Sequence, residues 1–295
     1  MATSTDTLGG SSPLAPMLRR RHRRDRGMTW LLSGLMIAIG ALLVWILAYV
    51  ALKGVKAVNW GFLTDTPPGD PAAAGGGFYN GIIGTFEIVG MAVLISVPLG
   101  IGCAIYLNQY ATGRSAAVLR LVTDVMLGIP TIVTGAFVYA LWVIEFGFSG
   151  FAGALALALV MVPLIVRATE EMLRLVPRDI REASLALGVT QSRTIMSVLL
   201  PTARAGIITG IMLAVARAMG ETAPLLLTAL GNDLFVETNP GHRMSTLSLQ
   251  IFGSATGGFV NAQNRAWAGA LVLIALVLLL TILARLIARS SAVRR

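Results

Sequence analysis

Cysteine, histidine and lysine are nearly missing from this sequence, and each shortage removes a class of chemistry. One cysteine, Cys103, excludes an intrachain disulfide and any multi-cysteine zinc or iron–sulfur site. The two histidines, His22 and His242, stand without a nucleophile partner, which argues against a Ser/His/Asp hydrolase. The only lysines, Lys53 and Lys56, are followed by Gly and Ala, so the glycine-rich phosphate loop that ends in Lys-Ser or Lys-Thr is not present. Gly100 and Gly102 begin a GxGxxG-like pattern, but position 105 is Ile and the stretch is apolar, which reads as helix packing. Charged residues of all kinds make up 13% of the chain, against roughly a quarter in a soluble domain. With 56% hydrophobic residues and a mean hydropathy of +0.78, the 295 residues describe a membrane protein.

A membrane span needs about 20 predominantly apolar residues. Six stretches qualify: 28–52, 81–107, 121–143, 151–166, 205–230 and 267–284. The first carries no charge over 25 residues, longer than the roughly 7–15 of a signal-peptide core, and reads as an uncleaved helix. The third contains Pro130 at its middle, and Pro130, Thr131 and Gly135 are read as at most a local break. The expected fold class is an all-α polytopic membrane protein with six transmembrane helices.

Lys and Arg accumulate in cytoplasmic loops. An even span count puts both termini on one side, and that side holds 18 of the 23 basic residues, against 4 on the other. Both termini are therefore expected in the cytoplasm. The run from Arg19 to Arg26 then anchors the first span against anionic lipid, and the net charge of +9 is not a nucleic-acid face. The organisation expected is a disordered basic tail over 1–27 and a six-span domain over 28–295. Residues 69–77 (GDPAAAGGG) and 231–266 read as external loops, the first of them flexible.

The cytoplasmic stretch 167–204 has a mixed-charge helical pattern. Pro177 and Asp179 open a helix, Ile180, Ala183 and Leu187 fall on one face, and Gly188 ends it. Periodicity alone describes an interfacial amphipathic helix. The spacing is more specific: Glu182-Ala183-Ser184, three residues, Gly188, nine residues, then Val198-Leu199-Leu200-Pro201. It resembles the EAA loop of ABC-importer permeases, with Ser for the second Ala and Val for Ile. The resemblance implies a coupling helix docked on a separate ATPase subunit through Glu182, Ala183 and Gly188.

Arg217 and Glu221 stand four apart in the fifth apolar stretch, on one face of a helix. A lone Arg near the bilayer centre costs at least about 2.5–3.5 kcal/mol, so an intramembrane charge is a functional candidate by default. Locking helices together would be its structural alternative. Gly206, Gly210, Ala214 and Ala218 form a small-residue stripe for close helix approach. Gly220 and Pro224 flank Glu221 and weaken the helix there. The planar guanidinium fork suits an oxyanion, with Glu221 to orient it. The segment Arg217-Ala218-Met219-Gly220-Glu221-Thr222-Ala223-Pro224 is similar to the RAxGETAP segment of PstA-type phosphate-importer permeases. Val166-Arg167-Ala168-Thr169-Glu170-Glu171-Met172-Leu173 resembles the same family's VRxTEEML stretch.

This second resemblance covers about residues 80–290. It implies a MetI-like permease fold in the inner membrane and a substrate path through Arg217, Glu221 and Arg167. It also implies a homologous PstC-like permease, a pair of ATPase subunits carrying ATP and magnesium, and an extracytoplasmic phosphate-binding protein. The chain itself is expected to hold no cofactor and no metal. Other oxyanions such as sulfate or molybdate stay open, because guanidinium geometry does not separate tetrahedral anions; a channel or membrane enzyme is the rival from another class. Glu87, inside the second span, is read as snorkelling outward, with a place on the translocation path or a pairing with a basic group as the alternative. Asp124 is read as an interfacial neighbour of Arg120.

Overall fold

The computed structural model describes the backbone of residues 15–293 and the side chains of residues 25–286. Every regular element among the described residues is helical. The first is α1 (Ala15–Gly54), whose side chains from residue 25 to 49 are exposed. Its backbone is helical from Ala15, so residues 15–27, expected within a disordered tail, continue the first span as helix. The remainder of that tail, 1–14, lies outside the described residues.

From Lys53 onward the chain forms a second unit. Its longer α-helices are α2 (Tyr79–Gln109), α3 (Gly113–Gly128), α4 (Thr131–Val138), α5 (Gly150–Arg174), α6 (Arg178–Ala186), α7 (Leu200–Gly220), α8 (Leu247–Thr256) and α9 (Val260–Val293), with shorter helical pieces at 60–64, 139–146 and 223–226 and a helical lead-in to α7 at 191–199. Among the described residues, five single helices are long and apolar enough to cross a membrane, and a sixth candidate is a bent pair. The expected third span, 121–143, is not one continuous helix. Residues 113–128 and 131–146 meet at 101°. Ile129 and Pro130 are extended there, with ψ of 130° and 131°, because proline lacks an N–H and disfavours helix in the residue before it. Pro130 therefore does more than the local break read from the sequence.

Lipid is as apolar as a leucine side chain, so helices in a bilayer associate through packing and hydrogen bonds, not through expulsion of water. Small residues accordingly mark the contacts. Gly100 of α2 lies against Ile165 of α5, where an added Cβ would come to 2.6 Å. Gly206 and Gly210 of α7 lie against Met172 and Ala168 of α5, and Ala214 and Ala218 are 1% exposed. The small-residue stripe is thus the α5–α7 contact. Ile88, Ala92, Leu157, Met161, Ile165 and Leu225 fill the core between these helices.

Two loops differ from expectation. The glycine-rich 69–77 segment is pinned rather than free. Arg265, 6% exposed, donates to the carbonyls of Pro71, Ala73 and Gly75 at 3.0, 2.7 and 3.2 Å, and Asn261 donates to Ala72 at 2.7 Å. Gly75 and Gly76, at φ +81° and +70°, turn the backbone so that these carbonyls converge. The 231–266 segment folds back into the bundle as α8, held by a buried polar network. Thr85 accepts from the Leu247 N–H, Gln250 donates to Asn80 and Asp233, and Asn80 donates to the Asn232 carbonyl.

Candidate functional site

Arg217 lies in the last turn of α7, where a cation complements the helix dipole. The helix stops at Gly220, and Glu221 is already extended at φ −73°, ψ 126°. Pro224 explains the stop, since its ring would collide with the carbonyl four residues earlier, at Gly220. Arg217 and Glu221 are therefore not two positions of one continuous helix, as their spacing suggested. They still pair: Arg217 Nε donates to Glu221 Oε1 at 3.1 Å. The Arg217 side chain is 47% exposed and that of Glu221 15%.

Other elements converge on this break. Ser248 at the start of α8 donates to the Glu221 carbonyl at 3.0 Å. Gly135 of α4 meets Pro224 so closely that an added Cβ would lie 2.6 Å from the Pro224 Cα. The second limb of the bent pair is thus packed on the interrupted end of α7. Irregular backbone at membrane depth is tolerated where it is buried in protein or lines a cavity.

Arg167 stands elsewhere. On α5 it faces Asp124 of α3 at 3.9 Å and Glu171 at 3.8 Å, both beyond hydrogen-bond length. Its neighbour Ala168 meets Gly210, which is seven residues, or about 10 Å along the helix, from Arg217. No ion pair or hydrogen bond among the described residues joins Arg167 to Arg217 or Glu221. Asp124, expected as an interfacial neighbour of Arg120, is the residue that Arg167 faces across α3 and α5.

The stretch 167–204 is less of a loop than its sequence suggested, because α5 runs on to Arg174 and α7 starts at Leu200. Between them α6 ends in a Schellman motif: Gly188 N–H bonds to the Leu185 carbonyl, Val189 N–H to the Ser184 carbonyl, and Gly188 has φ +78°. Glu182 and Ala183 are exposed, and Leu187 is 84% exposed. Ser184 is the inward residue, hydrogen-bonded to Thr194 at 2.9 Å. One buried hydroxyl pair therefore fastens α6 while its apolar residues stay uncovered.

Two charged features were missed from the sequence. Glu170 is 1% exposed and accepts from Arg120 Nε at 2.8 Å and Arg174 Nη2 at 2.6 Å. The i,i+4 spacing of Glu170 and Arg174 was a visible signal, whereas Arg120 is 50 positions away. Glu87, already singled out in the sequence, is half-buried, with one carboxylate oxygen, Oε2, enclosed and without a hydrogen-bond partner among the described residues. At the α2 N-terminal end, a cavity of about 600 Å³ is lined by Phe148, Asp233, Glu237, His242 and Arg243. There the backbone N–H of Asn239, and after it His242 at 3.0 Å, hold the Glu237 carboxyl below its ordinary range.

Comparison with known proteins agrees with this architecture. Residues 96–293 match the family described as binding-protein-dependent transport system inner membrane component. The phosphate transport system permease protein PstA of Yersinia pestis is 45% identical over 250 residues, 83% of each chain. PstA 1 of Mycobacterium tuberculosis (strain CDC 1551 / Oshkosh) is 39% identical over 306 residues, covering all of both. Among solved structures, a chain of a bacterial alginate ABC transporter superposes with TM-score 0.66 at 12% identity, over 92% of this chain and 96% of that one. A chain of the MetNI methionine transporter does so with TM-score 0.56 at 20% identity, over 72% and 93%. At such identities the structural likeness concerns the fold alone.

Proposed function

The chain belongs to the family of binding-protein-dependent transport system inner membrane components, among the phosphate transport permeases of the PstA type, and from that premise we propose that it is the transmembrane permease subunit of an ATP-driven importer of inorganic phosphate. The observation that carries the mechanism is the half-exposed Arg217 guanidinium beside Glu221 at the broken end of α7. Among the described residues only its Nε is engaged, which leaves both terminal amino groups for a tetrahedral oxyanion, which such a fork binds bidentately. Glu221 offsets part of the charge, and conduction needs an anion bound firmly enough to enter and weakly enough to leave. Arg167, held only at 3.8–3.9 Å by Glu171 and Asp124, is the second cation of the path.

The chain performs no covalent chemistry in this reading. ATP and magnesium belong to a pair of separate ATPase subunits, which meet the exposed Glu182 and Ala183 on α6, with Gly188 setting the turn behind them. A homologous PstC-like permease supplies the other half of the path. An extracytoplasmic phosphate-binding protein delivers substrate at the end where Glu237, His242 and Arg243 lie. Both termini and α6 face the cytoplasm, in line with the distribution of arginine.

The test is phosphate uptake in cells lacking their own high-affinity importer and supplied with this chain and its partners. Wild-type uptake is expected to resist sulfate competition and to be lost in Arg217→Ala and Glu182→Ala at equal membrane expression. Uptake surviving Arg217→Ala would make the pair structural. Competition by sulfate or molybdate would reassign the substrate.

A further inference from the structure

The end of the bundle that carries α6 encloses a second cavity, of about 410 Å³. Its polar lining comprises Asn108, Gln109, Arg120, Arg174, Arg178 and Arg181, and no carboxylate is part of it. Four arginines from three elements therefore line one small volume. Glu170, buried beneath the cavity, takes Arg120 and Arg174, and Glu171 meets Arg174 at 3.4 Å. That holds two of the four in place. Nη1 of Arg120 is left without a hydrogen bond. Arg178 and Arg181, three apart on α6 and so on neighbouring positions of one face, make no ion pair among the described residues. Asp179, the acid of the first turn, is not in the lining.

Glu170 is shared by Arg120 and Arg174, and Arg178 and Arg181 have no ion pair among the described residues, so the cluster keeps an excess of positive charge that a further anion would relieve. The volume falls within the roughly 300–1,000 Å³ of small-molecule sites and is too small for a folded acidic partner. Arginine forks suit the tetrahedral oxygens of phosphate through paired charge-assisted hydrogen bonds. We propose that Arg120, Arg174, Arg178 and Arg181 form a binding site for a phosphoryl anion, provided either by free orthophosphate or by the headgroup of an anionic lipid. Arg120 and Arg174 stand on α3 and α5, while Arg178 and Arg181 stand on α6. A bound anion thus ties α6 to the bundle and stiffens the segment that the ATPase would move. That regulatory consequence rests on the reading of α6 as the ATPase contact; the binding itself does not.

The test measures amide hydrogen exchange over residues 174–190 in the full-length chain assembled with its partner subunits in nanodiscs. One arm titrates orthophosphate in phosphatidylcholine discs without ATP. The other replaces phosphatidylcholine by phosphatidylglycerol without phosphate. The expected result is slowed exchange of this segment in one arm, which names the source. In Arg178→Gln/Arg181→Gln the half-saturating concentration should rise about tenfold or more, the effect of one lost charge-assisted hydrogen bond. Should that variant fail to assemble, Arg178→Lys/Arg181→Lys keeps the charge and loses the fork, and weaker protection is again expected. Unchanged exchange of the wild type in both arms overturns the proposal. Protection of equal strength in the variants also overturns it, by placing the anion elsewhere. Transport is not read, so a chain that carried a different substrate would still give the expected result.

Discussion

Glu170 offers a sharp test of how this bundle holds a charge. Its carboxylate is 1% exposed, whereas the Arg120 and Arg174 side chains that bind it are 34% and 43% exposed. Charge-assisted hydrogen bonds contribute roughly 1.5–3 kcal/mol each, and half-exposed arginines are partly screened. In Arg120→Leu the carboxylate stays buried and loses one of its two cations, for an expected cost of about 2 kcal/mol. In Glu170→Gln the buried charge itself disappears, Oε1 still accepts, and both arginines can turn to solvent, for a cost of about 1 kcal/mol. Taking about 2–4 °C per kcal/mol, Arg120→Leu should lower the unfolding midpoint by about 4–8 °C and Glu170→Gln by about half as much. The double variant should cost less than the sum, since the second change removes the group that the first one stranded. Tryptophan fluorescence during thermal unfolding in nanodiscs would measure all three. A larger shift for Glu170→Gln than for Arg120→Leu would refute the reasoning.

Gly210→Leu should disrupt the α5–α7 contact, because even a Cβ there overlaps Ala168; overpacking of this kind costs about 1–3 kcal/mol, and lost yield of folded complex would report it, with Gly102→Ala, which meets nothing within 4 Å, as the control. Gly188→Ala, at φ +78°, should cost about 1–2 kcal/mol and loosen α6, and Gly188→Asn should cost less; thermal midpoints and the ratio of phosphate moved to ATP hydrolysed would check this. Because the Glu237 carboxyl is held below its ordinary value of 4.5, its contribution is present above that pH and is lost as pH falls through the lower folded value. Glu237→Gln should therefore flatten the acid limb of a melting-temperature profile below pH 4.5 without moving the neutral plateau's pH dependence.

Much of the candidate site could be read without coordinates because it lies within short stretches of chain. Arg217 and Glu221 are four residues apart and pair whether or not α7 continues, and Gly188 ends α6 as its position after an amphipathic run suggested. Arg167 shows the opposite case. Its grouping with Arg217 came from likeness to a family, and the two guanidiniums take different partners in the structure. Glu87 was judged by its depth along a helix, which says nothing about what packs beside it.

Composition and hydropathy by themselves determined that this chain lives in a membrane and is helical, since only apolar runs of sufficient length can satisfy their own backbone there. The spacing around Glu182 and Arg217 was equally legible, because motif chemistry is written in local order. Pro130 sets where the third apolar run breaks, but where its second limb then settles was decided by tertiary packing, in the close approach of Gly135 to Pro224. The same holds for the pinning of residues 71–75 by Arg265 and the burial of Glu170 under Arg120 and Arg174. The Arg120–Glu170 and Arg265–Ala73 contacts join groups 50 and 192 positions apart. A buried charge or carbonyl must find a partner wherever the fold brings one, and that distance is not encoded in any window of sequence.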